Sequence, residues 1–267
     1  MRRSLPRRIV AGLAWRPACA PPAVLALTLV FALGLGPAAL PAATPQGGDR
    51  EAQILYAFHT EDRHALSGLI QSLRTQLAAG DDDALRYHLA HADYRMGRLV
   101  GGPEADAAWS DCIDQLKVVL RHEARSAEAM VLQSVCYALL ANDRSLEAVL
   151  LRRRAAERLA AAHELAPRNP RVNMFMALDG LEHAPRGSPQ SEAAFARLQL
   201  TARLFEESSA TADDAPGWGH AEAYLALGRE LLTRGDFLGA RNWIEKSLLA
   251  APDFKSAQLQ LAAIERR

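Results

Sequence analysis

Residues 221–254 read Ala221-Glu-Ala-Tyr-Leu-Ala-Leu-Gly-Arg-Glu-Leu-Leu-Thr-Arg-Gly-Asp-Phe-Leu-Gly-Ala-Arg-Asn-Trp-Ile-Glu-Lys-Ser-Leu-Leu-Ala-Ala-Pro-Asp-Phe254. Tyr224, Leu227, Gly228 and Leu231 fall on one face of a helix, because residues three and four apart are neighbours there. Gly235-Asp236 has turn chemistry. Phe237, Ala240, Ile244 and Leu248 then face back from a second helix. Pro252 cannot continue that helix and closes the unit. Gly228 and Ala240 are expected to be small because the two helices cross closely there, with Tyr224 and Phe237 filling the wedges on either side.

Looser versions of this unit lie on its N-terminal side. Residues 170–207 form a pair closed by Phe195, Leu198, Ala202 and Phe205. Residues 127–167 form another, with an insertion at 142–150. Residues 84–122 carry Tyr87, Ala90 and Tyr94 on one helix and Ala108, Cys112 and Leu116 on the next. Helices are expected at 51–58, 61–79, 83–99, 104–122, 126–141, 145–165, 170–183, 189–207, 219–233, 237–250 and 254–266. Ala and Leu dominate the apolar residues and no alternating pattern supports a strand, so the class is all-α. Helix 254–266 would cap the last repeat, whose apolar face must be covered.

The aromatic, Leu-Gly, turn Gly, Ala and terminal Pro of 221–254 resemble a tetratricopeptide repeat (TPR). Pro167-Arg-Asn-Pro-Arg-Val172 and Trp218-Gly-His-Ala-Glu-Ala-Tyr-Leu-Ala-Leu-Gly228 are similar to turns in a group of exported bacterial proteins of that type. The resemblance implies an α-solenoid of antiparallel helix pairs with degenerate repeats. It also implies a role in protein interaction.

The N-terminal segment is of another kind. Residues 1–22 carry five arginines and no acid, and a 14-residue apolar run, Ala23 to Gly36, follows. Pro37-Ala-Ala-Leu-Pro-Ala-Ala43 completes the pattern of a secretory signal peptide over 1–43. The run is shorter than the ~20 residues a spanning helix needs. Export to the periplasm is therefore expected, with an uncleaved inner-membrane anchor as the alternative. Residues 44–50 read as a flexible start and 51–267 as the repeat domain. Without 1–43 the chain keeps 26 basic against 31 acidic residues, a net charge of −5. It offers no basic stripe for phosphates, so nucleic acid is not an expected partner.

Few residues suggest chemistry. His88 and His91 share a helix face near Asp93, but no third or fourth ligand stands at a metal-binding spacing. No phosphate loop, nucleophile elbow or Cys-x-x-Cys appears. Neither metal, cofactor nor catalytic residue is expected. Cys112 and Cys136 lie symmetrically about a turn between antiparallel helices, which allows either a disulfide or two buried thiols. Arg152-Arg153-Arg154 points most of the way round its helix.

In a repeat of this kind the first helices line a concave face. The residues expected there are His88 and Arg95; Glu128, Val131 and Val135; Arg171, Met174 and Leu178; and Glu222, Leu225, Arg229 and Leu232. An apolar strip edged with both charges would suit a peptide or protein partner. A ligand-binding subunit serving a transporter and an enzyme without a recognisable motif are the alternatives.

Overall fold

The computed structural model describes residues 47–143, 147–209 and 216–266. The signal peptide expected over 1–43 lies outside the described residues. So do 44–46, residues 144–146 of the insertion and 210–215 of the loop at 208–217.

Side-chain caps start several of the helices. Asp62 accepts the Ala65 N–H at 2.9 Å, Asp82 that of Ala84 at 2.8 Å, and Asn169 that of Arg171 at 2.9 Å. Asp236 accepts from Gly239 at 2.8 Å. Each such cap stabilises its helix by roughly 1 kcal/mol. Pro170 sits in the first turn of its helix, where the missing N–H has no intrahelical partner to lose.

Eleven helices result among the described residues: α1 (Gly47–His59), α2 (Arg63–Ala79), α3 (Asp83–Leu99), α4 (Gly102–His122), α5 (Ala127–Asp143), α6 (Ala148–Leu165), α7 (Pro170–His183), α8 (Pro189–Ser209), α9 (His220–Thr233), α10 (Phe237–Ala250) and α11 (Lys255–Glu265). None is long and apolar enough to cross a membrane. The closest packing is within the consecutive pairs α3–α4, α5–α6, α7–α8 and α9–α10, and α1–α2 adds a further pair in front. The first helices also meet one another, α1 with α3, α3 with α5 and α5 with α7. The apolar core runs along the stack, from Ile54, Leu66 and Leu89 through Leu116 and Leu132 to Leu198, Leu227 and Ile244. α11 covers the last pair, with Phe254 and Ala257 buried against Leu225 and Ile244.

The α9–α10 crossing is as close as its small residues require. A Cβ on Gly228 would stand 2.6 Å from Ile244 Cγ1 and 3.1 Å from the Ala240 carbonyl. The wedge beside it belongs to Ile244, which is fully buried, and not to Phe237, which is 46% exposed. Phe237 is the first residue of α10, a turn before Ala240 at the crossing.

Cys112 on α4 and Cys136 on α5 meet as a disulfide, with Cα atoms 6.6 Å apart. Both cysteines belong to the main apolar cluster, together with Ala105 on α4 and Ala129 on α5.

Candidate functional site

Trp218 lies in the turn directly before α9, with its side chain buried among the first helices. Gly219 makes the turn with φ +97, and a Cβ there would stand 2.9 Å from Phe205 Cζ. Both the dihedral and the space therefore call for glycine. Trp218 is 1% exposed. Its backbone N–H donates to Glu51 Oε1 at 2.9 Å and its indole Nε1–H to Tyr87 Oη at 3.0 Å. Its ring lies 5.2 Å from that of His91 and 6.1 Å from that of Phe175. The guanidinium groups of Arg95 and Arg171 lie 5.6 and 5.5 Å from the ring centre. A tryptophan face attracts such cations electrostatically.

Each arginine is held by a glutamate. Arg171 Nε and Nη2 donate to Glu128 Oε2 and Oε1 at 2.7 and 2.8 Å. Its Nη1 donates to the carbonyls of Pro216 and Trp218 at 2.7 and 3.1 Å. Arg95 Nη2 approaches Glu222 Oε1 to 2.6 Å, and His59 Nε2 lies 3.5 Å from the same oxygen. Glu222 Oε2 accepts the Gly219 N–H at 3.1 Å. Charges from α1, α3, α5, α7 and α9 thus surround one tryptophan.

Burial shifts these groups and their partners answer it. Burial raises the Glu51 carboxyl, although the Trp218 N–H opposes this. Burial would raise Glu222 as well, but Arg95 and then His59 hold it well below the usual carboxylate range. Burial, with Arg95 beside it, keeps His91 neutral far below its ordinary value. On the other side of α3, burial raises Asp93 to about 7; Arg74 opposes this and Asp111 adds to it. Every one of these shifts has an internal partner.

The concave face is consequently filled at one end and open at the other. The first turns of α5, α7 and α9 are closed by the Trp218 assembly. Beyond it lies a cavity of about 410 Å³, walled by Phe58, Arg95, Arg98, Met174, Leu178, Trp218, Glu222, Leu225 and Arg229. A second cavity of about 350 Å³ adjoins it, with Val135, Leu139, Arg152 and Leu159 in its wall. The two share Arg98, Phe175, Leu178 and Glu182.

The expected groove residues divide accordingly. Arg95, Met174, Leu178, Glu222, Leu225 and Arg229 come together around the first cavity, and Val135 lines the second. Arg95, Met174 and Leu225 are nonetheless almost wholly buried, so they floor it and do not project. His88, Glu128, Val131 and Arg171 are not groove residues. Arg171 and Glu128 are engaged with each other and with the Trp218 loop. Val131 packs between α5, α6 and α7 with Ala162 and Val172. His88 is buried, close enough to Arg50 on α1 for that charge to add to the lowering of its pKa by burial. Leu232 lines neither cavity; it is partly buried and packs against the core cluster of α9, α10 and α11.

His88 and His91 do not form a metal pair. His91 Nε2 accepts from Arg95 Nε at 3.0 Å, and no group of three or more ligating side chains occurs among the described residues. The sequence pattern passed over Arg98, Phe175 and Glu182. Arg98 and Glu182 lie one turn further along the strips of Arg95 and Leu178, so extending each strip to its helix end would have found them.

No protein-family model matches the chain, and no curated protein matches it in sequence. In structure it is similar to a thermophilic TPR protein of Thermus thermophilus, with 15% sequence identity and a TM-score of 0.57 over 83% of this chain and 100% of that one. At that identity the likeness is one of architecture: the chain has an all-α, TPR-like fold of antiparallel helix pairs closed by a capping helix.

Proposed function

We propose that the chain is an interaction module that takes a segment of a partner protein into the open end of its concave face. The observation that carries this reading is the division of that face. A solenoid that needed only stability could close its whole inner surface. Here the closure stops at Trp218, and two adjoining cavities with apolar floors and charged rims remain open. Apolar anchors with charges that set register are the recognition chemistry such a surface supplies. The shifted groups around Trp218 support a non-catalytic role, because Glu51, His91 and Glu222 are each engaged by a neighbour within the fold. The basic start and apolar run of residues 1–43 support export, and with it a partner in the periplasm. The Trp218-Gly219 lead-in supports kinship with the exported bacterial group it resembles.

Photocrosslinking tests the reading. A benzoylphenylalanine at Leu178, in the wall of both cavities, should give discrete protein adducts in intact cells. The same probe at Leu238, exposed on α10, should not. Equal adducts from both positions, or none from Leu178, would refute it.

A further inference from the structure

We infer that the open end of the concave face selects an acidic peptide segment with apolar residues flanking its carboxylates. This rests on the groove reading above and adds the chemistry of the partner.

Three arginines border the two cavities, Arg98 from α3, Arg152 from α6 and Arg229 from α9. All three are exposed. None has a carboxylate or hydrogen-bond partner for its guanidinium among the described residues. The contrast with the filled end is direct, since Arg95 and Arg171 there are each held by a glutamate.

The carboxylates in the walls do not balance them. Glu222 is committed to Arg95 and Glu230 to Arg234. Of the wall carboxylates described, Glu182 and Asp179, which meets only the His183 imidazole, have no arginine or lysine partner. The uncommitted charges are therefore three guanidinium groups against two carboxylates, on a domain whose residues 44–267 carry a net −5. Arg98 also acts on Arg229, whose guanidinium is pushed down by burial and by that like charge. An anion seated between them would relieve the repulsion.

The shape favours a chain segment over a compact anion. Arg229 borders only the first cavity, Arg152 only the second, and Arg98 both. A single carboxylate satisfies one or two of these. A segment with carboxylates spaced along it satisfies all three and lays its apolar side chains on Phe175, Leu178 and Leu225. Arg presents a fork that binds carboxylates through two parallel hydrogen bonds.

The test is selection from a phage-displayed library of random 12-residue peptides on the immobilised full chain. Recovered peptides should be enriched in Asp and Glu beside Leu, Phe or Ile. In fluorescence anisotropy, Arg98→Ala/Arg229→Ala should weaken an enriched peptide about 10-fold or more, as expected for lost charge-assisted hydrogen bonds. Its Gln/Asn counterpart, which offers a single neutral acceptor and no bidentate ion pair, should change by less, by about 2-fold. Arg98→Lys should restore part of the loss. Circular dichroism controls for folding.

Peptides enriched in apolar residues without acids would overturn the acidic preference and leave the groove reading standing. No enrichment would sink both. Binding of dodecanoate that needs Arg98 and Arg229, without acidic peptides, would assign the site to an anionic amphiphile instead. Concentration-dependent dimerisation abolished by Arg98→Glu would assign it to a second copy of the chain. Either result overturns the proposal.

Discussion

The carboxylate of Glu51 accepts the backbone N–H of Trp218 at 2.9 Å, across 167 positions of sequence. This bond ties α1 to the start of the last repeat and makes Trp218 the keystone of the concave face. Trp218→Ala should destabilise the fold by about 3–5 kcal/mol, the cost of removing a large buried aromatic. Glu51→Ala leaves a buried N–H unpaired and should cost about 1–3 kcal/mol. Glu51→Gln keeps an acceptor and removes a charge that burial disfavours, so it should be the mildest of the three. Urea unfolding of the three variants gives the order directly, and a Glu51→Gln loss equal to that of Glu51→Ala would contradict this account.

The ion pair of Arg95 with Glu222 carries an acid dependence. Removing one partner of a buried pair strands the other, so Arg95→Met should cost roughly 3–5 kcal/mol at pH 7. The Glu222 carboxyl is lowered in the fold, from 4.5 in the unfolded chain. Its stabilisation is therefore complete above that value and is lost as the pH falls below it. Unfolding measured at pH 7 and pH 3.5 should show a decline that Glu222→Gln reduces. A decline of the same size in both proteins would mean that other carboxylates govern it.

Asp93 has the opposite sign. Its carboxyl rises from 3.8 to about 7 on folding, through burial, with Arg74 opposing and Asp111 adding. The folded state then binds more protons than the unfolded one between those values, so stability falls as the pH rises through that window. Asp93→Asn should be more stable than the parent above pH 7, by an amount of order 1–3 kcal/mol, and about equal to it below pH 4. Thermal melts at the two ends measure this. A destabilised variant at pH 8 would show that the Arg74 contact outweighs the burial cost.

The repeat architecture was legible because its determinants are local. Helices are expected at 83–99, 170–183 and 237–250 and occur as Asp83–Leu99, Pro170–His183 and Phe237–Ala250. Asp82, Asn169-Pro170 and Asp236 mark those starts without tertiary help. The insertion was harder: α6 begins at Ala148, where 145 is expected, since no capping side chain marks its start. The candidate site was legible only in part. Spacing identifies which side of α5 or α7 faces inward, and Met174 and Leu178 do. It carries no information about what else arrives there. Trp218 stands out as a lead-in to the last repeat, but its insertion depends on Glu51, Tyr87 and Arg171. Those contacts come from distant helices and leave no periodic trace. Arg171 and Glu128 were therefore expected to face a partner and are instead consumed by the chain itself.

The Cys112–Cys136 disulfide supplies the last prediction. It joins α4 to α5 across a sequence separation of 24, with Cα atoms 6.6 Å apart. A loop of that length should lose enough unfolded-state freedom to stabilise the fold by about 3 kcal/mol, in the chain-entropy account. Both cysteines are fully buried, so reduction under native conditions should be slow and should accelerate in denaturant. Peptide mapping of protein unfolded without reductant and treated with iodoacetamide should find residues 112 and 136 unmodified. Cys112→Ala/Cys136→Ala should remain helical, because the surrounding alanines still pack, and should unfold at lower urea. Two alkylated cysteines at these positions would remove the bridge from the protein as made. The double variant should then lose only the packing of two buried sulfur atoms and not the larger contribution of a cross-link.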